Sequence, residues 1–320
     1  MTGRDTRIDN AKGLLIILVV MGHLAWPVPS GDRAADALYF FVYFFHMPMF
    51  ALVSGYLSRA EAGRAALVRN ARLLLAPYVV FFALHALILR LMGEPPYPFL
   101  QGLYGLWYLL SLFCWRAILP YVRRIPFALP ASIVLALAVG FVPFIGLDLS
   151  LSRTLVLLPF FLAGHRLREK GTPPTAVFGR PAGAMLVAAG LLLAWWLSGY
   201  RFQAMLYGNG PYAALGPGLG VGLAARAIQL AVAFGLGLGA LALVPSGGNP
   251  LTRIGRHSLH AYLLHSLLLV PYRLWPAAYG TLGSTVWLLV PAAVLLAWLL
   301  ASPPVVKATR RLIAPLPPAR

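Results

Sequence analysis

Ten times along this chain an apolar stretch runs for 17 residues or more. As a helix, each is long enough to cross, or nearly cross, a hydrocarbon core about 30 Å thick. The stretches are roughly 12–29, 37–57, 73–92, 103–121, 128–146, 151–167, 182–199, 222–244, 256–273 and 283–302. Lipid offers no partner for a bare peptide group, so a chain that crosses repeatedly must be a helical bundle or a closed barrel. Barrel strands are about half as long and alternate in polarity, and these runs do neither. The expected fold is all-α, a polytopic membrane protein with about ten transmembrane helices, and residues 1–320 form a single membrane domain. Hydrophobic residues make up 60% of the chain and the mean hydropathy is +0.79, which leaves little for a separate soluble domain. The first run continues through Trp26 and Pro27 into the second without a small-residue cleavage site, so it is expected to stay in the membrane.

The net charge of +18 would suggest nucleic acid in a soluble protein. Here the basic residues fall between the runs or near their ends. With about ten spans, 20 of the 26 lysines and arginines lie on the side that holds both termini. Positive charge marks the cytoplasmic side, so both termini are expected in the cytoplasm and the protein in the cell (plasma or inner) membrane. The single cysteine, Cys114, permits no intrachain disulfide, and no C-x-x-C pair suggests a structural zinc.

Within this frame the segment Arg7 to His23, RIDNAKGLLIILVVMGH, is unusual. It places one histidine deep in an apolar run, where an ionisable group marks a functional face or a protein-lined interior. Lys12 and His23 are eleven residues apart, about three turns, so they share a helix face about 16 Å apart along the axis. His46 lies in the second run, LYFFVYFFHMPMFALVSGYLSR, about 12 Å below its outer end. Counted from the inner side, His23 stops about 14 Å short of the outer face. The two histidines are therefore expected at similar depth. Pro48 removes a backbone hydrogen bond between His46 and the inner end. Arg69 and Arg72, three residues apart, are neighbours on one helix face. Guanidinium groups there suit phosphate oxygens, and they also suit positive-inside topology.

Several ordered patches resemble the integral-membrane acyltransferases of acyltransferase family 3, in particular the branch similar to fucose O-acetylases. They are D-N-x-K-G leading to G-H (Asp9, Asn10, Lys12, Gly13, Gly22, His23), FHMPMFALVSGY, the R-x-x-R of Arg69 and Arg72, GLWYLLSLF with Trp107 and Tyr108, LLPFFLAGHRLR with His165, and LTRIGRHSLHAYLLH ending at His265. The wider family carries arginine where this chain has Lys12, so the likeness is to the branch; lysine keeps the charge and loses the bidentate fork. The resemblance implies O-acyl transfer, with acetyl-coenzyme A as donor and a carbohydrate or glycan precursor of the cell envelope as acceptor. It implies that Lys12, Arg69 and Arg72 meet coenzyme A phosphates, with Ser54 and Gly55 also at the donor site. Ser54 and Gly55 equally suit small-residue helix packing. His23 and His46 are the expected catalytic residues. His23 would act as general base on the acceptor hydroxyl or carry the acyl group, and His46 would orient or deprotonate the acceptor.

His257, His260 and His265 spread over about 140° of one helix surface with no carboxylate nearby in sequence, so no metal is expected. His165 is expected at lipid head groups or donor phosphate, and Trp107 and Tyr108 as interfacial aromatics. The segment 200–221, with the turn Gly208–Pro211, is expected to pack as a lid or re-entrant piece. A flippase or transporter of lipid-linked sugars is the alternative function. It would need no coenzyme A; a proton- or sodium-coupled transporter would usually need a buried carboxylate, and none of the eight acidic residues lies deep in a run. No phosphate-loop motif suggests an ATP motor, and the ordered motifs of the MBOAT acyltransferases are missing.

Overall fold

The computed structural model describes residues 5–25, 32–200, 203–215, 218–274 and 286–316, and these contain helices and no strand. The helices are α1 (Thr6–Leu24), α2 (Arg33–Leu57), α3 (Arg64–Leu91), α4 (Trp107–Val122), α5 (Ala128–Ala138), α6 (Leu151–Glu169), α7 (Arg180–Leu197), α8 (Gln203–Leu206), α9 (Leu219–Ala242), α10 (Pro250–Arg256), α11 (Ser258–Leu274), α12 (Val286–Leu300) and α13 (Pro303–Ile313). Among the described residues, α2, α3, α7 and α9 are each long and apolar enough to cross a bilayer. The pair α12 and α13, bent by 69°, makes a fifth if it is one span. The shorter α4 and α5 are apolar too. α1 and α6 have 19 residues each and carry charges near their ends.

Helix ends differ from the sequence expectation where local chemistry overrides hydropathy. α1 starts at Thr6, six residues earlier than the apolar run, because the Asp5 carboxylate caps it by accepting from the Arg7 and Ile8 N–H groups. α3 begins at Arg64 and so includes Arg69 and Arg72. The ninth run forms α11, and a separate short helix, α10, precedes it across a break at His257 with its own capping box, Asn249 with Thr252. α13, beyond the last run, has a basic face of Lys307, Arg310 and Arg311 and an apolar face ending at buried Ile313.

The chain divides into two compact units. The first comprises Met1–Phe50, Thr172–Gln203 and Ala231–Thr309. Its centre is α1, which packs against α10, α11 and α12 and is buried around most of its circumference. A helix apolar all round belongs in an interior, and α1 achieves this below its polar first turns. Contact with α10 is backbone to backbone. A Cβ at Gly13 would strike the Leu251 carbonyl, and one at Gly255 would strike the Asp9 carbonyl. α7 meets the end of α9 in the same way at Gly183 and Gly239.

The second unit comprises Ala51–Gly171, Ala204–Leu230 and Arg310–Arg320. In it the end of α2 crosses α6 at Gly55 and Gly164, where added Cβ atoms would meet the Phe161 and Leu52 carbonyls. Trp115 of α4 stacks on Phe161 at 5.4 Å and donates its indole N–H to the Thr154 carbonyl at 2.8 Å. The segment 203–215 is anchored here. Tyr212 is fully buried beneath the Arg226 guanidinium and donates to the Leu137 carbonyl, and Ser152 Oγ donates to the Gly208 carbonyl. The outward apolar surface includes Phe144, Phe127 and Leu91, each about three-quarters or more exposed. Such a surface suits lipid and would drive aggregation in water.

Candidate active site

The sequence-derived site residues fall in both units. Lys12, His23 and His46 belong to the first, and Ser54, Gly55, Arg69 and Arg72 to the second.

The first unit explains the D-N-x-K-G segment as a latch. Asn10, fully buried, donates both amide hydrogens, to the Pro245 and Gly247 carbonyls at 2.8 Å each. Its oxygen accepts from the Thr252 hydroxyl at 2.5 Å. Thr6 donates to the Ser246 carbonyl, and Arg7 to the Val244 and Ala242 carbonyls. Lys12 Nζ lies 3.0 Å from Asp9 Oδ1, while Asp9 Oδ2 lies 3.5 Å from Arg256 Nε. One buried carboxylate thus faces two cations, and the group retains net positive charge.

Three turns above Lys12, His23 Nδ1 lies 2.9 Å from Nε2 of His265 on α11. His265 Nδ1 in turn lies 2.9 Å from the Ala261 carbonyl oxygen. That oxygen can only accept, so His265 Nδ1 carries a proton. With both rings neutral, His265 Nε2 then holds a lone pair and His23 Nδ1 donates to it. The basic nitrogen of His23 is therefore Nε2. This ordered chain, carbonyl to His265 to His23, fixes tautomer and ring direction as the orienting partner does in a catalytic triad. The α11 end also holds α1 through Arg273, which donates to the His23 carbonyl at 3.4 Å, and Tyr272, which donates to the Leu24 carbonyl at 3.3 Å.

His46, buried, donates Nδ1–H to the Val42 carbonyl at 2.8 Å, which leaves Nε2 as its basic nitrogen. Tyr43 lies between the two regions. Its ring sits edge-on to His46 at 4.8 Å, and its hydroxyl donates to the carbonyl of Gly22, next to His23, at 3.4 Å. Tyr43 thus joins the His46 ring to the backbone of the residue before His23. The partner that pairs with His23 is His265, which the sequence marked only as the end of a family-like patch and as one of three histidines on one helix. The signal available was the i−4 carbonyl of α11 and the matched depth of His265. His257 and His260 do not join this pair; their rings lie edge-on at 5.8 Å to each other.

In the second unit Ser54 Oγ lies 2.8 Å from the Tyr108 hydroxyl. Gly55 serves the close approach to α6 described above. Arg69 pairs with Glu61 at the surface, and Arg72 follows one turn later, partly buried. Trp107 and Tyr108 are buried, so they are not interfacial belt residues as expected; Arg153 covers the Trp107 ring at 4.8 Å. His165 is buried as well, with Nε2 3.5 Å from Glu169, and so does not face head groups. His85, not singled out in the sequence, is fully buried in α3 and donates to the Phe81 carbonyl at 2.6 Å.

The class of the protein comes from sequence comparison. The chain belongs to the family of the acyltransferase domain (acyltransferase family 3), whose profile matches residues 5–302. It is similar to nodulation protein NolL of Sinorhizobium fredii (strain NBRC 101917 / NGR234), 44% identical over 69 residues, which is 21% of this chain and 19% of that protein. NolL of Mesorhizobium japonicum (strain LMG 29417 / CECT 9101 / MAFF 303099) is 47% identical over 58 residues, 17% of this chain and 16% of the relative. The chain therefore matches less than a fifth of the length of either relative. No solved structure matches.

Proposed function

We propose that this protein is a multi-pass membrane O-acyltransferase. It moves an acyl group, acetyl in the first instance, from acyl-coenzyme A to a hydroxyl of a carbohydrate or glycan precursor of the cell envelope. The observation that carries this reading is the His23–His265 pair, which directs a basic imidazole nitrogen away from its orienting partner. The family carries the reaction class.

His23 Nε2 takes the proton of the acceptor hydroxyl as its oxygen attacks the thioester carbonyl. The carbon–sulfur bond breaks, and the thiolate of coenzyme A recovers that proton from the imidazolium. Atoms and charge balance without a metal or redox partner. Arg69 and Arg72 hold donor phosphates, since guanidinium groups match phosphate oxygens. The part given to Lys12, Ser54 and Gly55 at the donor comes from the family motifs, and that given to His46 at the acceptor from its depth beside Tyr43.

The protein spans the cell membrane about ten times with both termini in the cytoplasm. Two features support this. Within the second unit, the α2 and α6 ends meet through Arg168 and the Tyr56 carbonyl, and the α4 and α6 ends through Arg123 and Glu169. Within the first, Arg33 at the start of α2 meets the end of α7 at Ser198. Both pairings agree with alternating spans, and the side assigned to the cytoplasm comes from the distribution of basic residues.

The test is purified His23→Gln, checked for monodispersity and for retained acetyl-coenzyme A binding, and assayed for transfer to envelope glycans by mass spectrometry. Loss of a general base typically costs about 10²–10⁴-fold. Wild-type transfer by this variant would end the proposal. An acyl adduct trapped on His23 without acceptor would replace the general-base step by a covalent one.

A further inference from the structure

In the second unit an arginine sits where an apolar helix should not hold one. Arg116 lies in the third turn of α4, partly buried. Its Nε donates to Ser58 Oγ at 3.3 Å, and that hydroxyl donates to the Ser54 carbonyl at 2.7 Å. The Ser54–Tyr108 hydroxyl pair lies one turn back, in the last turn of α2. Arg168 donates to the Tyr56 carbonyl at 3.1 Å, and buried His165 lies against the Ser58 backbone.

The carboxylates of this region are engaged elsewhere. Glu61 pairs with Arg69 and Arg59, and Glu169 with Arg166, Arg123 and His165. Among the described residues, Arg116 has no carboxylate at ion-pair distance. A guanidinium stays charged in any protein environment. In a desolvated site without a counter-ion it is costly, and ionisable groups inside membrane helices mark ligand or ion pathways. An anion would remove that cost.

We infer that Arg116, held by Ser58, forms an oxyanion site for a phosphate group. Ser58 fixes the guanidinium through Nε and leaves its Nη edge for two phosphate oxygens. In this reading, which rests on the donor assignment above, the phosphate belongs to coenzyme A. An anionic lipid head group offers the same chemistry.

The experiment measures thermal unfolding of purified wild type and Arg116→Gln in detergent, with added coenzyme A and, separately, with phosphatidylglycerol in the micelles. Coenzyme A should raise the Tm of wild type, and Arg116→Gln should need about 10- to 100-fold more for the same shift. Phosphatidylglycerol should shift both proteins alike. If only the lipid shift is lost in Arg116→Gln, the site stands and its phosphate is the lipid's. If neither shift changes, the site is overturned while the donor assignment survives. If coenzyme A fails to shift even wild type, the donor assignment falls, and the lipid arm alone decides the site. Should Arg116→Gln not purify as a single species, Arg116→Lys takes its place. It keeps the charge and loses the fork, so unchanged affinity for both ligands would overturn the site.

Discussion

Replacing His265 separates an orienting partner from a packing residue. In the native arrangement the Ala261 carbonyl fixes the His265 tautomer, and His265 Nε2 accepts from His23 Nδ1 at 2.9 Å. His265→Leu fills similar space and removes that acceptor. His23 is then free to carry its proton on Nε2, which turns the base into a donor on the side meant for the acceptor hydroxyl. Leaving a buried donor without its partner costs about 1–3 kcal/mol. At about 1.4 kcal/mol per decade, that is roughly a 5- to 150-fold loss in kcat. His265→Gln restores an oxygen acceptor at similar reach and should recover most of the loss, though Gln cannot be held by the Ala261 carbonyl in the same way. The assay is acceptor-dependent release of free thiol from acetyl-coenzyme A by purified protein, with kcat and KM for the donor measured separately. KM should stay near wild type, since the pair lies three turns from Lys12. The double variant His23→Gln, His265→Leu should be no slower than His23→Gln alone, because the partner acts only through the base. Full kcat in His265→Leu, or multiplicative losses in the double variant, would refute the reasoning.

Other outcomes follow from the packing and the charge pattern. Asn10→Ala removes three buried hydrogen bonds that close the 245–247 turn onto α1. It should lower the detergent Tm at about 1–3 kcal/mol per unsatisfied group, and Asn10→Asp, which can only accept, should do no better; an unchanged Tm for both would dismiss the latch. Gly255→Leu forces a side chain into the Asp9 carbonyl and should abolish a monodisperse peak in size-exclusion chromatography. Arg72→Ala should raise KM for acyl-coenzyme A more than KM for the acceptor, by about 10- to 100-fold per lost charged contact; unchanged donor KM with poor membrane insertion would leave this arginine a topological role alone. Reporter fusions after residue 320 should read as cytoplasmic and fusions within 203–215 as external; reversal at either position would overturn the map.

Legible in the chain itself were the helical class and the positions of nearly all the long helices. These depend on local pattern. A long apolar run favours helix in lipid, although the fifth run is α-helical only over Ala128–Ala138, and eleven residues of helix place Lys12 and His23 on one face. Helix starts were less legible, since Asp5 and Asn249 set them by single hydrogen bonds that hydropathy does not register. α13 escaped notice because its charges cancel its apolar face in any average along the chain.

What the tertiary structure decided is which residue stands against which. The glycines of D-N-x-K-G and L-x-x-I-G look like spacers in sequence. Packed, they let α1 and α10 touch backbone to backbone, so Asn10 can reach the turn at 245–247. The burial of Trp107, Tyr108 and His165 also belongs to packing, because an aromatic at a helix start can face lipid, water or protein with the same local pattern. The pairing of His23 with His265 joins residues 242 apart in the chain. No local periodicity carries that separation. It arises when α11 packs on α1, because only then does one imidazole tautomer dictate the other.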